Sequence, residues 1–328
     1  MFANIIKSKY HSDPIIFEMK ITKQEKLIFK EILWNKPVYS YKKTAGSILV
    51  LSGSKGREIV PIQIMETLFR VGLGLPILGF PEGLLRTYKE ILPTEMSLPL
   101  EETLSGSMSL KSLSTILKFA KESDLTLIGP GMSQNAETVQ LIWEVIFKSS
   151  KNIMITSNAI NALLVGFELL KKNGSSLTKF TDQRNSKKKN TVLVLTPQEL
   201  IKILRVLEYE DINLTMLSNN KAKYLNEVAL KLGWLIVLID SDIYVASKDK
   251  LILTEVRNTS GHQNVLIGIV SAFLSQNEKK PLEAITTAIY IFKISINQVK
   301  ISTNPQQISN TGIIKNIPAA LKEAEKEI

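Results

Sequence analysis

Short apolar runs alternate with amphipathic stretches from about residue 47 to residue 295, and this alternation carries most of what the sequence says about its fold. Ser47-Ile48-Leu49-Val50-Leu51 is mostly apolar at successive positions, as a strand covered on both faces requires, and 125–128, 152–155, 191–195 and 235–239 repeat the pattern. A further strand is predicted at 75–80, bounded by Gly74 and Pro81, and a hairpin at 243–246 and 251–254 around Ser247-Lys248-Asp249-Lys250. Helices are predicted at 60–71, 110–122, 136–148, 159–170, 197–206, 220–232, 265–274, 282–294 and 318–328. Pro61 and Pro197 fall in first turns, where a missing N–H costs nothing. Strands separated by helices imply an α/β fold with a mostly parallel sheet.

Two stretches break the rhythm. Residues 81–110 are rich in Pro, Gly, Ser and Thr and are expected to form a long excursion. Residues 171–190 are polar and basic around Gly174-Ser175-Ser176 and are expected to form an inserted flexible loop. The expected organisation is an N-terminal extension over 1–40, a main domain over 41–300 and a C-terminal segment, 301–328, ending in a helix. No internal repeat is present.

With 328 residues, 44% of them hydrophobic, the chain can bury a substantial core. It has no uncharged apolar run of about 18 residues, and Asp13, Pro14 and Glu18 interrupt the start where a leader would be apolar. A cytoplasmic protein without a membrane partner is therefore expected. The absence of cysteine excludes disulfides, thiolate metal sites and a cysteine nucleophile, and two histidines, His11 and His262, leave little for a histidine metal site. No metal site is expected beyond the magnesium that a nucleotide brings with it. The net charge of +10 raises the question of nucleic acid. The excess sits in runs such as Lys42-Lys43, Lys171-Lys172 and Lys187-Lys188-Lys189, with no interleaved aromatics for base stacking. This pattern suits a solvated surface, or an attraction to anionic metabolites, better than a nucleic-acid groove.

The candidate chemistry lies in Asn258-Thr259-Ser260-Gly261-His262-Gln263-Asn264, directly before the apolar helix Val265-Leu266-Ile267-Gly268-Ile269-Val270. Small residues before a helix offer free backbone N–H groups and a positive dipole end to a phosphate. Three other turns stand at strand ends, where ligands of open α/β sheets bind: Ser52-Gly53-Ser54-Lys55-Gly56, Gly129-Pro130-Gly131 and Thr196-Pro197. Taken singly, each would also serve as an ordinary turn or helix start, and Ser52–Gly56 lacks the lysine-serine or lysine-threonine ending of a P-loop.

In order and spacing these segments resemble the ADP- or ATP-dependent NAD(P)H-hydrate dehydratases, over roughly residues 40–320. The stretch from Lys43-Thr44-Ala45-Gly46 through Gly56 is similar to the family's opening strand and glycine-serine loop. Ile128-Gly129-Pro130-Gly131 is similar to its most recognisable turn, Leu195-Thr196-Pro197 to the strand end at its substrate pocket, and residues 258–276, ending Ser271-Ala272-Phe273-Leu274-Ser275-Gln276, to its anion-hole turn and helix. The resemblance implies a ribokinase-like three-layer αβα sandwich. It also implies use of ADP or ATP with Mg2+, NAD(P)H hydrate as substrate, and self-association. The implied reaction phosphorylates the hydroxyl of the hydrated ring, and loss of that phosphate regenerates NADH or NADPH. On this resemblance Ser260, Gly261, Gln263 and Asp240 fall at nucleotide or phosphate positions, and Gly53, Ser54, Gly129, Gly131, Asn158, Thr196 and Pro197 at the substrate pocket.

The chain departs from the family where chemistry is needed. The Gly-Gly-Ser-Gly-Asp turn is replaced by Ser260-Gly261-His262-Gln263-Asn264, so Asn264 stands at the position of the catalytic aspartate and cannot take up a proton. Gln263 brings a Cβ where glycine lets a phosphate approach the backbone. The Asp-Ala-Asp strand end is Thr156-Ser157-Asn158, the Lys-Gly pair is Ile239-Asp240, and the Thr-Pro-His-Pro-Gly-Glu segment is shortened to Thr196-Pro197-Gln198-Glu199. His262 either rescues the chemistry as a base or simply faces solvent or caps the helix start. Asp240 and Asp242 either hold magnesium or form a polar turn between strands. The expected protein is a dehydratase-like chain with impaired or no catalysis. The alternatives are a non-catalytic nucleotide-binding or regulatory partner of an active relative, and another small-molecule kinase, which would also need the missing carboxylate.

Overall fold

The computed structural model describes residues 20–34, 45–186, 189–209, 211–257, 259–302 and 308–328. Ten strands form one sheet: β1 (Ile21–Lys23), β2 (Ser47–Leu51), β3 (Leu75–Pro81), β4 (Ser97–Leu100), β5 (Leu125–Ile128), β6 (Asn152–Thr156), β7 (Thr191–Leu195), β8 (Leu235–Ile239), β9 (Ile243–Ala246) and β10 (Leu251–Thr254). Their order is β1-β10-β9-β8-β7-β6-β5-β2-β3-β4, and only β9 runs antiparallel to its neighbours. Chain order reverses between β2 and β5, the kind of switch point beside which ligands of open α/β sheets bind.

Among the described residues thirteen α-helices cover the sheet: α1 (Glu31–Trp34), α2 (Ile59–Val71), α3 (Leu85–Lys89), α4 (Leu113–Glu122), α5 (Ala136–Lys148), α6 (Asn158–Lys172), α7 (Leu177–Ser186), α8 (Pro197–Val206), α9 (Leu214–Asn219), α10 (Lys221–Leu232), α11 (Gln263–Gln276), α12 (Pro281–Ser302) and α13 (Asn310–Glu325). Alternation along the strands assigns their side chains to two cores. Ile48, Val50, Leu125, Leu127, Val192, Val194 and Val237 face α2, α11, α12 and α13, while Leu49, Leu51, Ile153, Ile155, Leu193, Leu195 and Leu238 face the layer of α4 to α10. The result is the expected three-layer αβα sandwich with a mostly parallel sheet. Helix α11 is buried from Val265 to Ser275 because α2 and α12 both pack on it, which explains a helix apolar all round. None of the described helices is long and apolar enough to cross a membrane.

Several local expectations change. Residues 171–190 are not a flexible loop in their described part: Leu177–Ser186 forms α7. Phe180 anchors it, stacked on Phe147 at 5.7 Å and packed against Trp143 at 5.3 Å. One helical turn on, Arg184 is 3% exposed, and its guanidinium donates to Thr191 Oγ1 (2.7 Å) and to the carbonyls of Ser149 and Lys151 (both 3.0 Å) and Ile146 (3.3 Å). Burial pushes this guanidinium down to about 10, which leaves it charged at neutral pH. Replacing Arg184 with methionine is expected to cost about 2–4 kcal/mol, because the acceptors it serves stay buried without a donor. Urea unfolding checks this, and a change no larger than that of a surface substitution would remove the clamp from the account.

The excursion at 81–110 contains α3 and the edge strand β4, whose Pro99 is tolerated because it lies at the sheet's rim. The terminal helix begins at Asn310, not at Pro318: Ser309 caps it by accepting from Gly312 N, and Pro318 sits inside. The helix predicted at 282–294 runs from Pro281 to Ser302. The described part of the N-terminal extension is integral to the core. Strand β1 pairs with β10, Gln24 Oε1 accepts from Thr254 Oγ1 at 2.6 Å, and Leu27, Ile32 and Leu33 are buried. Glu327 ties the two ends together, its carboxylate accepting from Leu27 N at 3.0 Å and from Tyr290 Oη at 2.6 Å. His11, Asp13, Lys42, Lys43, Thr44, Lys187, Lys188 and Asn258, named from the sequence, lie outside the described residues.

Candidate functional site

Two cavities open at the carboxyl ends of the strands. The larger, about 890 Å³, lies between the β7–α8 turn, the β8–β9 turn and the segment from β10 to α11, and is lined by Thr196, Pro197, Asp240, Asp242, Glu255, Arg257, Ser260 and Gln263 among others. The smaller, about 500 Å³, is lined by Gln134, Ser157, Asn158, Asn161, Glu199, Lys202 and Gln263 together with Ile160 and Leu164.

Helix α8 begins where the sequence places it and for the expected reason. Thr196 caps it, Pro197 occupies the first position, and Glu199 closes a capping box. Both of the acceptor bonds that Glu199 makes to Thr196 use Oε2, from the backbone N at 2.7 Å and from Oγ1 at 2.9 Å. Burial raises the Glu199 carboxyl above the ordinary glutamate value, against the lowering effect of these bonds and of Lys202. A carboxyl raised by folding stabilises the fold below its ordinary titration range and loses that contribution as pH rises through the folded value. Glu199→Gln is therefore expected to gain stability relative to the natural chain as pH is raised from 4.5 toward neutrality. Paired urea titrations at the two ends of that range check it; a difference that does not move with pH counts against the buried carboxylate.

The larger cavity carries mixed charge. Asp240 Oδ2 is 2.6 Å from Lys221 Nζ, and Lys221 also lies over the Tyr244 ring at 5.6 Å. Burial pulls the Lys221 ammonium down, but the hydrogen bond and charge of Asp240 hold it above its usual value. Glu255 pairs with Lys23 at 3.2 Å, and Asp242 Oδ1 accepts from Val256 N. Asp240 and Asp242 thus form a polar turn between β8 and β9, each with a partner. Among the described residues no group of three His, Asp or Glu side chains comes together. Arg257 adds a guanidinium from a residue held at φ 51°, a conformation that costs a non-glycine residue energy and clusters at functional sites. Ser157, at φ 52°, plays the same part beside the smaller cavity.

The start of α11 is pinned from two sides. Asn264 Nδ2 donates to Gln63 Oε1 of α2 at 2.9 Å. The His262 ring meets Asn310 Oδ1 at 2.7 Å, and Asn310 Nδ2 donates to the Gly261 carbonyl at 3.1 Å. Neither His262 nor Asn264 lines either of these two cavities. His262 is therefore engaged with α13 at the head of its helix.

The glycine turns at the ends of β2 and β5 are bonded to each other. Ser52 Oγ donates to the Pro130 carbonyl at 2.6 Å, Ser54 Oγ to that of Gly131 at 3.0 Å, and Gly53 N to Pro130 O at 3.3 Å. Gly129, at φ 125°, has space for no side chain: a Cβ there would lie 1.8 Å from the Thr156 carbonyl oxygen. Of the residues named from the sequence, Thr196, Pro197, Asp240, Ser260 and Gln263 line the larger cavity, and Asn158 and Gln263 the smaller. Gly53, Ser54, Gly129, Gly131, Gly261, His262 and Asn264 line neither. Lys221, Gln63, Asn310 and Arg257 were not legible as site residues, since nothing local distinguishes them. Glu199 was, through the Thr-x-x-Glu capping signature.

Strand order, layers and a cleft at the strand ends define a ribokinase-like α/β protein. The solved structures it resembles include a ribokinase-like superfamily protein from Enterococcus faecalis (TM-score 0.67, 18% identity, 93% of this chain and 96% of that one). Another is the ADP/ATP-dependent NAD(P)H-hydrate dehydratase of Bacillus subtilis co-crystallised with ATP/Mg2+ (TM-score 0.68, 17% identity, 94% and 100%). In sequence the chain is a distant relative of NAD(P)H-hydrate repair enzymes. It is 24% identical over 297 residues to the bifunctional NAD(P)H-hydrate repair enzyme Nnr of Moorella thermoacetica, covering 88% of this chain and 51% of that protein. It is 22% identical over 303 residues to the ADP-dependent (S)-NAD(P)H-hydrate dehydratase of Lactococcus lactis, covering 91% and 97%. The chain spans about half the length of the bifunctional relatives that it matches over most of its own length. No family model matches it.

Proposed function

We propose that this chain is an NAD(P)H-hydrate dehydratase-like protein that takes ADP or ATP, with the nucleotide's own Mg2+, in the larger cavity and has lost most or all of the phosphoryl-transfer chemistry. The observation that carries this reading is Asn264. It stands at the family's aspartate position, cannot accept a proton, spends its amide on Gln63 and lines neither cavity. His262 is read as no replacement base, since it lines neither of the two cavities and its Nδ1 is engaged with Asn310.

The nucleotide part of the reading is supported by the names of the relatives, one ADP-dependent and one crystallised with ATP/Mg2+, and by a cavity at the free start of a 14-residue helix. NAD(P)H hydrate enters as ligand on the same grounds. Another small-molecule kinase on this fold is disfavoured by the same asparagine. A cytoplasmic location, and association with a second copy or with an active relative, belong to the proposal as the resemblance implies them.

The test is recovery of the near-ultraviolet absorbance of NADH from its hydrate, with ADP and then ATP in the presence of Mg2+. The natural chain is expected to run at least about 100-fold slower than a dehydratase that carries the aspartate. Turnover at the rate of such an enzyme would overturn the reading.

A further inference from the structure

One residue is shared by the two cavities of the cleft. The larger cavity sits at the ends of β7, β8 and β10, the smaller at the end of β6, the start of α8 and the loop before α5, and Gln263 lines both. It is the first residue of α11, so its side chain stands where backbone N–H groups without a carbonyl one turn earlier would meet a phosphate chain. Its own amide makes no hydrogen bond to a described residue. The turn that carries it is fixed, by Gln63 on Asn264, by Asn310 on His262 and on the Gly261 carbonyl, and by the His262 carbonyl on Leu266 N. The helix start is therefore held by four hydrogen bonds, while none to a described residue holds the Gln263 side chain. Beyond it the smaller cavity presents the carboxyl of Glu199, whose Oε1 makes no hydrogen bond to a described residue.

We propose that Gln263 is the specificity-determining residue of the cleft: it confines a nucleotide to the larger cavity, keeps the phosphate chain out of the smaller one, and so selects a nucleoside diphosphate over a triphosphate. The proposal rests on the nucleotide reading above. A third phosphoryl group has to pass the helix start, where Gln263 occupies the space a glycine would leave open and Glu199 stands behind it as a like charge. The wall also separates a nucleotide from anything held by Asn158 and Asn161, which is a second obstacle to transfer besides the missing carboxylate.

Calorimetric titration of the full chain with ADP and with ATP, each with Mg2+, tests it on the natural protein, Gln263→Gly and Gln263→Ala. The natural chain is expected to bind ADP at least about tenfold more tightly than ATP, and Gln263→Gly to abolish the difference by tightening ATP, since each charge-assisted hydrogen bond regained at the helix start is worth about tenfold. Gln263→Ala keeps the Cβ, removes the amide and falls between; it also carries the test if the glycine variant does not fold. Equal affinities in the natural chain, or a ratio unchanged by the substitutions, overturn the selection while leaving the nucleotide reading in place. If none of the three proteins binds either nucleotide, both fall.

Discussion

Replacing Gly129 with alanine is expected to lower stability by about 3–5 kcal/mol, combining left-handed backbone strain with an overpacked contact that cannot relax. The new Cβ would stand 1.8 Å from Thr156 O and 2.8 Å from the Ala159 Cβ, and the first of these is backbone at the end of a buried strand. A flexible side chain could turn away, but the β6 backbone is held by ladders to β5 and β7. The controls are Gly56 and Gly261, which share a positive φ but have nothing within 4 Å of the added Cβ. Alanine at either should cost only the conformational strain, roughly 1–2 kcal/mol. Urea unfolding midpoints decide between the two cases, and a Gly129→Ala protein no less stable than these controls would mean that the β5 and β6 ends do not approach as described.

The second large effect concerns activity and is not additive. Asn264→Asp alone restores a carboxylate at the head of α11, and Gln63 can turn its amide to donate to it, so the side chain is accommodated without loss of the contact to α2. Turnover should nonetheless rise little, because Gln263 still separates the two cavities. Gln263→Gly alone opens the wall but leaves no base. Together the two substitutions are expected to raise NADH recovery about 10²–10⁴-fold over the natural chain, the range a positioned general base supplies, because the new carboxylate can then turn from Gln63 into the space that Gln263→Gly opens. The coupling is itself the readout, since independent effects would multiply. A double variant that folds, binds nucleotide and stays as inactive as the natural chain would show that the chemistry fails for reasons beyond these two positions.

The layers of the fold were legible because both faces of the sheet are covered, which makes the central strands continuously apolar and unmistakable, as at Ile48 to Leu51. What escaped the pattern were elements whose burial uses the wrong kind of residue. Helix α7 buries an arginine among lysines and asparagines, β4 contains a proline, and β1 is three residues long at a sheet edge. The site divided in the same way. Turns at strand ends could be located from glycine, proline and capping residues, and they stand at the strand ends, although the glycine turns line neither of the two cavities. The partners that decide what the turns can do are remote in sequence: Gln63 reaches Asn264 across 201 residues, and Asn310 reaches His262 across 48. Lys221 likewise arrives from α10 to meet Asp240. No local motif announces such a contact.

The joining of the two ends has a bearing on the order in which the molecule assembles. Ile21 pairs with Leu251, and the Leu27 amide finds its acceptor in Glu327, 300 residues away. Closing so long a loop is entropically unfavourable until the intervening layers exist to hold its ends near each other. Strand β1 therefore docks late, and until it does the outer edge of β10 is a bare row of backbone donors and acceptors, open to another chain. Crowded refolding would find its first opportunity for aggregation at that edge, on the side of the sheet far from β4.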